Sequence, residues 1–276
     1  MTQDLWLAKH PYLEPIAQFH AQVNAVMVSM SGVSCTLPDS DWSLYAADFD
    51  EGVPLLYSQS VAIDFGPVDQ SLTELVDKLA SMQLPGKFAN DAVSLSQQLR
   101  HDGAARRAIA WLLGRVEFDC ASPGLLCSLG WALLARDLQP VAATFSAWRD
   151  EERWLRNYCP MCSASPAMAQ LAGINPERLR LLCCGRCATR WRYRRTGCPF
   201  CQNEDDRQLA VLAIDGEGGL RIDYCKSCCG YLKTYTGEGS EELLLADWTS
   251  IHLDVLAEDR GLKRLAGSLY DLQPLG

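Results

Sequence analysis

The sequence lacks an apolar run long enough to form a membrane helix. The stretch from Cys120 to Ala135 carries no charged residue, but it includes serine, proline and glycine and is shorter than the about 20 apolar residues that a membrane helix needs. The first residues, MTQDLWLAKHPY, carry an early acid and no apolar segment of the secretory type. We therefore expect a buried helix in the uncharged stretch, no membrane insertion and a cytoplasmic location.

Recognisable catalytic motifs are also missing. There is no catalytic triad or dinucleotide fingerprint, and the turn from Gly216 to Gly219 is not followed by the helix that a phosphate-binding loop requires. Histidine is scarce, and its four copies lie far apart without a partner motif. They are His10, His20, His101 and His252. Each is interpreted as a surface or helix-capping residue, and the sequence predicts a protein that is not an enzyme.

Basic residues are fewer than acidic residues, and the formal net charge is −9. An acidic average argues against a protein that coats nucleic acid, so a nucleic-acid partner is not expected. The hydrophobic content of 48% and the charged content of 21% allow a real core and exclude wholesale disorder. At roughly 150 residues per domain, the chain length predicts about two domains.

Cysteine is rare in the first half of the chain and concentrated in the second. Ten of the thirteen cysteines lie between residues 159 and 229. An odd number of cysteines without an export signal does not indicate a disulfide framework, and in a reducing compartment such a cluster more often binds metal. We place the main domain boundary near residue 156 and interpret Cys35, Cys120 and Cys127 as small core residues.

Before this boundary, apolar residues recur at helical spacing, and an all-α domain is predicted over residues 1–155. One stripe begins at Leu13 and continues at three- and four-residue steps. Ser71 and Glu74 match a capping box, which predicts that a helix begins there. Residues 35–67 are expected to form a loop. Further helices are predicted over 90–100 and 104–117, from Pro123 behind the N-cap Ser122, and from Pro140 through Trp154.

After the boundary, the pattern changes to the two-residue alternation of strands. Trp191 and Tyr193 alternate with arginines, which predicts a strand. A hairpin is predicted over 208–214 and 220–224, around a glycine-rich turn, and its second strand leads directly into a CxxC pair. A last helix is expected from about Asp247 to Leu265.

Four CxxC pairs carry the strongest signal. Two intervening residues let both sulfurs of a pair face one ion, and two pairs complete a tetrahedral site of four thiolates. The gap between the first and second pairs is 21 residues and that between the third and fourth is 23, as in two-knuckle metal ribbons, whereas the second and third pairs are only 10 apart. The pairs are Cys159 and Cys162, Cys184 and Cys187, Cys198 and Cys201, and Cys225 and Cys228.

Sequential pairing of these motifs predicts two small modules, over residues 156–196 and 197–276, each with a four-cysteine metal site. An interleaved arrangement, in which the first pair joins the third, stays open. Cys183 and Cys229 each neighbour a predicted ligand and are interpreted as packing or spare thiols, because a three-residue gap suits a knuckle less well. Such sites suit zinc, or iron of the rubredoxin kind, and the residues do not decide between the two metals.

The first module is basic although the whole chain is acidic. Residues 156–195 contain eight arginines and a single acid, Glu177, which gives a segment charge of +7. These arginines could neutralise the thiolates or form a docking surface. A nucleic-acid platform is less favoured, because alternation along a strand puts rings and guanidinium groups on opposite faces.

The sequence resembles the FdhE family of formate dehydrogenase accessory proteins. The resemblance rests on CPMC, LLCCGRCATRWRYRRTGCPFC and RIDYCKSCCGYLKTY, and it extends to HPYLEPIAQFHAQV and DWTSIHLDVLAEDRG near the two ends. It implies an α+β multidomain fold, in which a helical N-terminal domain precedes two rubredoxin-like (zinc-ribbon-like) modules. It also implies iron as the metal held by the eight paired cysteines.

The same resemblance implies a function. The chain is expected to be a non-enzymatic cytoplasmic factor that binds the catalytic subunit of respiratory formate dehydrogenase and assists its maturation before twin-arginine export. Two alternatives stay open, namely a rubredoxin-like redox protein acting on a cofactor of its partner and a zinc-ribbon nucleic-acid binder. A thiol–disulfide oxidoreductase is not favoured, because no βαβ context surrounds the CxxC pairs. A homodimer is left open.

Overall fold

The protein is described here from a computed structural model, which covers residues 1–30, 32, 34–37, 42–84, 86–174, 177–217 and 219–268. The chain divides into two compact units. The first, called the sheet unit, comprises Met1–His10, Tyr45–Tyr57 and Arg149–Ser268. The second, called the helical unit, comprises Pro11–Leu44 and Ser58–Trp148 together with 269–276, which lie outside the described residues.

Helices occupy most of the first 150 residues and return near the end of the chain. Within the described residues the α-helices are α1 (Gln3–Lys9), α2 (Glu14–Ser29), α3 (Ala46–Glu51), α4 (Val68–Ala80), α5 (Lys87–Leu99), α6 (Ala104–Leu112), α7 (Pro123–Asp137), α8 (Gln139–Trp148), α9 (Glu241–Leu244) and α10 (Ile251–Glu258). None of these helices combines the length and the apolar character that a membrane crossing requires.

The core of the helical unit forms around α4. Leu72, Leu75 and Leu79 recur at helical spacing and are fully buried, where α4 packs against α2, α5, α6 and α7. The stretch without charged residues forms α7, as the sequence predicts. Gly130 lets α7 approach α6, because a Cβ atom at that position would lie 2.3 Å from Leu112 Cδ1.

The predicted capping box at Ser71 is wrong. Helix α4 begins at Val68, so Ser71 lies buried inside the helix. The carbonyl of Pro67 accepts the backbone N–H groups of Gln70 and Ser71, which starts the helical hydrogen bonding three residues earlier than expected. A buried apolar residue at position 68 favours the earlier start, because it extends the apolar face of α4 by one turn.

Three helices end sooner than the sequence predicts. Helix α6 stops at Leu112, ahead of Gly114. Gly114 has a φ of +70°, a left-handed conformation that often terminates a helix and that glycine adopts more readily than other residues. Helix α8 stops at Trp148 and does not continue to Trp154. Near the C-terminus, a 3-10 turn at Asp247–Ser250 precedes α10, and α10 ends at Glu258.

The sheet unit contains one continuous sheet. Its strands, within the described residues, are β1 (Pro166–Ala172), β2 (Leu179–Cys184), β3 (Arg190–Tyr193), β4 (Leu209–Ala213), β5 (Leu220–Cys225) and β6 (Tyr231–Tyr235). They lie in the order β3-β2-β1-β6-β5-β4. The predicted hairpin is formed by β4 and β5, which pair in antiparallel fashion from Leu209 opposite Cys225.

The sheet is made of two similar halves. In each half a hairpin is followed by a third antiparallel strand, giving β1-β2-β3 and then β4-β5-β6. The halves join through parallel pairing of β1 with β6, for which Ala169 lies opposite Thr234. The cysteine motifs therefore belong to two copies of one unit that share a sheet.

Part of the sheet unit comes from the first 60 residues. The segment Tyr45–Tyr57 contains α3 and a 3-10 turn, so the prediction of a loop over 35–67 is wrong there. Phe49 of α3 is buried and stacks on the ring of Trp154, with 5.1 Å between centroids. This aromatic packing stabilises a segment in which scattered proline, glycine and aspartate residues led to the prediction of a loop.

The predicted fold class is confirmed, because a helical region comes first and a β region with two four-cysteine clusters follows. The division into domains at 1–155, 156–196 and 197–276 stays a prediction.

Candidate metal centres

The four CxxC pairs adopt one shared backbone turn. In every pair, the N–H of the first cysteine donates to the carbonyl of the residue five positions later, with an N···O distance of 2.9 Å. The residue two positions after the first cysteine donates its N–H to that cysteine's sulfur at 3.4 Å in three pairs, as Met161 does to Cys159 Sγ. Such N–H groups stabilise negative charge on sulfur, as a thiolate ligand requires.

Each of these turns depends on one residue with a positive φ angle. In the described part of the chain, four residues other than glycine have positive φ, and each one directly follows the second cysteine of a pair. They are Ser163, Ala188, Gln202 and Cys229, with φ between 57° and 63°. The left-handed conformation reverses the chain immediately after the second sulfur. Four independent residues accept this strained conformation, which indicates that the turns serve the cysteines.

The turns bring the cysteines together in two groups of four, in the sequential pairing that the spacing favours. The first group contains Cys159, Cys162, Cys184 and Cys187, and the second contains Cys198, Cys201, Cys225 and Cys228. Measured sulfur–sulfur distances are 3.4–3.5 Å in the first group and 3.7–3.8 Å in the second. Four sulfurs bound to one ion at about 2.3 Å would be roughly 3.8 Å apart. Both groups are therefore able to hold a metal ion.

The two groups differ in exposure. All four cysteines of the first group are buried. In the second group, Cys201 is exposed and Cys228 is half-buried. Because solvent or another molecule can reach the second group but not the first, the two groups are suited to different roles.

The turn of the first CxxC pair is supported by the segment Tyr45–Tyr57. The N–H groups of Leu55 and Leu56 donate to the carbonyls of Pro160 and Met161 at 2.8 and 3.0 Å. These hydrogen bonds hold the backbone between the two cysteines from outside the module, and no local sequence pattern indicates them.

Cys183 and Cys229 lie outside both groups, as the sequence interpretation expects. Cys183 is buried on β2, and burial raises the pKa of its thiol to about 12 although Arg190 opposes the shift. Its sulfur therefore stays protonated in the sheet core. Cys229 occupies the left-handed position of the fourth turn, with φ of 57°.

The basic stretch is largely engaged within the sheet unit. Arg180 is buried and donates to the carbonyl of Gly197 at 2.8 Å. Arg192 and Arg194 form ion pairs with Glu152 and Glu204. These contacts join the arginines to carboxylates and a carbonyl of the same unit and argue against an open cationic face.

The rings interleaved with these arginines are buried. Trp191 has no exposed surface, and its indole N–H donates to the carbonyl of Arg156 at 2.9 Å, while Tyr193 is also buried. Base stacking on exposed aromatic rings, the usual basis of single-strand binding, is therefore not offered by β3.

A third group of metal-binding residue types was missed by the sequence interpretation. His10, Glu217 and His252 each place one ligand atom within 4.8 Å of the others. His10 does cap helix α1, yet it is buried and shares a carboxylate with His252. The interpretation of these two histidines as isolated is wrong, because contacts between positions more than 200 residues apart leave no trace in local sequence patterns.

The fold and the sites define a class of protein, namely a helical unit followed by a duplicated module with two four-cysteine groups that are able to hold metal ions. A crystal structure of the FdhE protein from Pseudomonas aeruginosa is similar to it, with a TM-score of 0.59, 26% sequence identity, and coverage of 96% of this chain and 90% of that one. The FdhE homologue of Stutzerimonas stutzeri is 33% identical over 185 residues, and that of Pseudomonas aeruginosa is 34% identical over 197 residues.

These comparisons confirm the resemblance to the FdhE family, so the chain is FdhE-like. The aligned regions cover 64% of this chain in both homologues, but only 58% and 60% of the homologues' own lengths. For the FdhE homologue of Aquifex aeolicus, 33% identical over 129 residues, the match covers 46% of that protein. The chain thus spans about half the length of the curated relatives it matches. No family model matches the chain.

Proposed function

We propose that this chain is a metal-binding accessory protein of formate dehydrogenase maturation. It binds the catalytic subunit of the respiratory enzyme in the cytoplasm, assists its maturation before twin-arginine export, and is not itself an enzyme. The observation that carries the proposal is the pair of four-cysteine sites on one sheet, in a chain that matches an FdhE structure over 96% of its length.

In this proposal the eight cysteines of the four pairs bind two ions. The family resemblance favours iron, and zinc is the alternative because tetrahedral thiolate sites accept both metals. The ions hold the four CxxC turns in place, and these turns adjoin the strands of both halves of the sheet. A partner would meet a surface whose shape depends on the metal.

Co-purification tests the partner. Tag-free chain is mixed with the formate dehydrogenase catalytic subunit under reducing conditions, with metal present, and complex formation is measured by size-exclusion chromatography with light scattering. We expect a complex with the wild type and a loss of complex in Cys225→Ser. Half-buried Cys120 lies in neither group, so Cys120→Ser is the matched control. Failure of the metal-replete wild type to bind would contradict the proposal. The same light-scattering trace reports whether the free chain is a homodimer.

A rubredoxin-like redox role is the second candidate, and the exposure of Cys201 favours it. An ion in the second group would lie close to solvent, where electron exchange with a partner is feasible. Reversible reduction of the visible iron–thiolate spectrum in the iron-loaded chain, altered by Cys201→Ser, would support this role. A chain that takes up only zinc when purified without added metal would rule it out.

A further inference from the structure

The third group of ligand-type residues joins three parts of the sheet unit that are distant in sequence. His10 lies at the C-terminal end of α1, Glu217 lies in the turn between β4 and β5, and His252 lies in the first turn of α10. None of the three belongs to a cysteine motif, and the proposed function does not use them.

The geometry of this group is convergent. The carboxylate oxygen Oε2 of Glu217 lies 3.2 Å from His10 Nε2 and 2.8 Å from His252 Nε2. The two imidazole rings stack with 4.8 Å between centroids and 25° between planes. Both rings therefore point the same type of nitrogen at one oxygen atom. The side chains are largely withdrawn from solvent, with exposures of 7% for His10, 14% for Glu217 and 15% for His252.

The hydrogen bonding of His10 determines which ring nitrogen carries a proton and which one presents its lone pair to the carboxylate of Glu217. Its Nδ1 lies 3.0 Å from the carbonyl oxygen of Trp6, and because a carbonyl only accepts, Nδ1 carries a proton. In neutral imidazole the other nitrogen, Nε2, then bears a lone pair. A lone pair that faces a carboxylate oxygen in a buried place is repulsive unless a proton or a metal cation lies between the two. A backbone carbonyl on Nδ1 is also the usual outer partner of a histidine that binds metal through Nε2.

The surroundings hold this arrangement in place. Trp6 is fully buried, its ring lies 4.1 Å from that of His10 between centroids, and its indole N–H donates to the carbonyl of Thr249 at 2.9 Å. These contacts tie α1 to the turn that precedes α10. The ligand set is therefore presented by a packed frame.

We propose that His10, Glu217 and His252 form a third metal site, which takes a divalent first-row transition ion such as Zn²⁺. Two imidazole nitrogens and one carboxylate oxygen match the ligand preference of zinc, and a three-residue set leaves one coordination position for water. Zinc bonds of about 2.0–2.1 Å in a tetrahedron separate ligand atoms by roughly 3.3 Å, close to the distances between His10 and Glu217. The ion would link α1 and α10 to the turn between β4 and β5.

Titration of tag-free protein tests the proposal, with both cysteine groups already filled with zinc. Native mass spectrometry counts the ions bound per chain as Zn²⁺ is added, and calorimetry gives the affinity. We expect one further ion in the wild type and in His101→Gln, the matched control, because His101 is exposed and outside the group. In Glu217→Gln and His252→Gln the affinity should fall by more than about 100-fold, since even outer partners contribute 10–100-fold.

A second measurement does not depend on any variant. In wild-type protein with ¹⁵N-labelled histidine, the added zinc should shift the Nε2 resonances of two histidines and leave the resonances of the other two unchanged. A cluster that holds only a proton would take up no further zinc and show no such shifts. That result, or a further ion that persists with equal affinity in both variants, would overturn the proposal.

Discussion

At the scale of single residues, the left-handed position after each CxxC pair is the feature that the sequence conceals. Four chemically unrelated residues occupy it, so no residue type signals the conformation. The grouping of the cysteines in two sets of four could be predicted, because two-residue spacing suits the size of an ion and of the turn. The left-handed backbone conformation of Cys229 could not be predicted, because no residue type marks that position.

Glycine at such a position should stabilise the protein. Ala188 is exposed with φ of 58°, a conformation that costs an alanine about 1–2 kcal/mol and a glycine almost nothing. We expect Ala188→Gly to raise the free energy of unfolding by about 0.5–1 kcal/mol, after the greater entropy of glycine in the unfolded chain is subtracted. Urea denaturation of the metal-loaded protein measures the change. Ala210→Gly in strand β4 is the control and should lower the same quantity.

Adjacent cysteines should respond differently to removal. We expect Cys184→Ser to lose one of the thiolate-bound ions and to destabilise its half of the sheet, because small ribbons draw much of their stability from the ion. Cys183→Ser should retain both ions, since its sulfur lies outside the groups. Metal analysis after gel filtration gives the count. Release of metal by Cys183→Ser but not by Cys184→Ser would show that the ligands are wrongly assigned.

At the scale of elements, the attachment of α10 to the sheet depends on a buried ionic cluster. Lys233 of β6 is 1% exposed and pairs with Asp247 at 2.7 Å and Asp254 at 2.8 Å, while Arg264 contacts the same two carboxylates. Burial alone would raise the pKa of Asp247, but Lys233 and Arg264 outweigh burial and lower it to about 2. Asp247 therefore stays ionised at neutral pH, opposite the two basic side chains Lys233 and Arg264.

Removing one partner of this cluster should be costly. We expect Lys233→Met to lower the free energy of unfolding by about 3 kcal/mol, because it leaves the buried carboxylate of Asp247 and the half-buried carboxylate of Asp254 with one cation. Lys226→Met, at an exposed lysine, should change it by less than about 0.5 kcal/mol. Hydrogen exchange should report the loss first in α10. Equal effects of the two substitutions would show that the cluster contributes nothing specific.

Helix and strand positions were predictable to different degrees. Strand β3, which carries Trp191, could be predicted from the alternation of residue types. The hairpin of β4 and β5 could be predicted from its glycine-rich turn. Helix ends were less predictable, since the ends of α4 and α6 depend on Pro67 and Gly114 and not on the apolar stripe. The parallel pairing of β1 with β6 could not be foreseen, because nothing local encodes contact between residues 169 and 234.

At the scale of the whole molecule, the two units draw on different sources of stability. The helical unit buries its own leucines around α4, whereas the sheet unit has four CxxC turns next to its strands, which are able to hold metal ions. The order of the two classes along the chain was predictable from the shift in cysteine content. The inclusion of Met1–His10 and Tyr45–Tyr57 in the sheet unit was not, because both segments resemble ordinary parts of a helical domain.

Metal removal should therefore affect the two units unequally. After chelation under reducing conditions, we expect amide protection to be lost across β1–β6 and retained in α4 and α7, because the leucine core of the helical unit needs no ion. Hydrogen exchange followed by peptide mass spectrometry resolves the two regions. Protection that stays unchanged in the sheet after complete metal loss would argue against a structural role for the ions.

The most direct test of the account is the metal content and coordination of protein purified under reducing conditions without added metal. Elemental analysis combined with X-ray absorption should find two ions per chain that are each bound by four sulfurs at about 2.3 Å. A folded, fully reduced chain that contains neither iron nor zinc would contradict it.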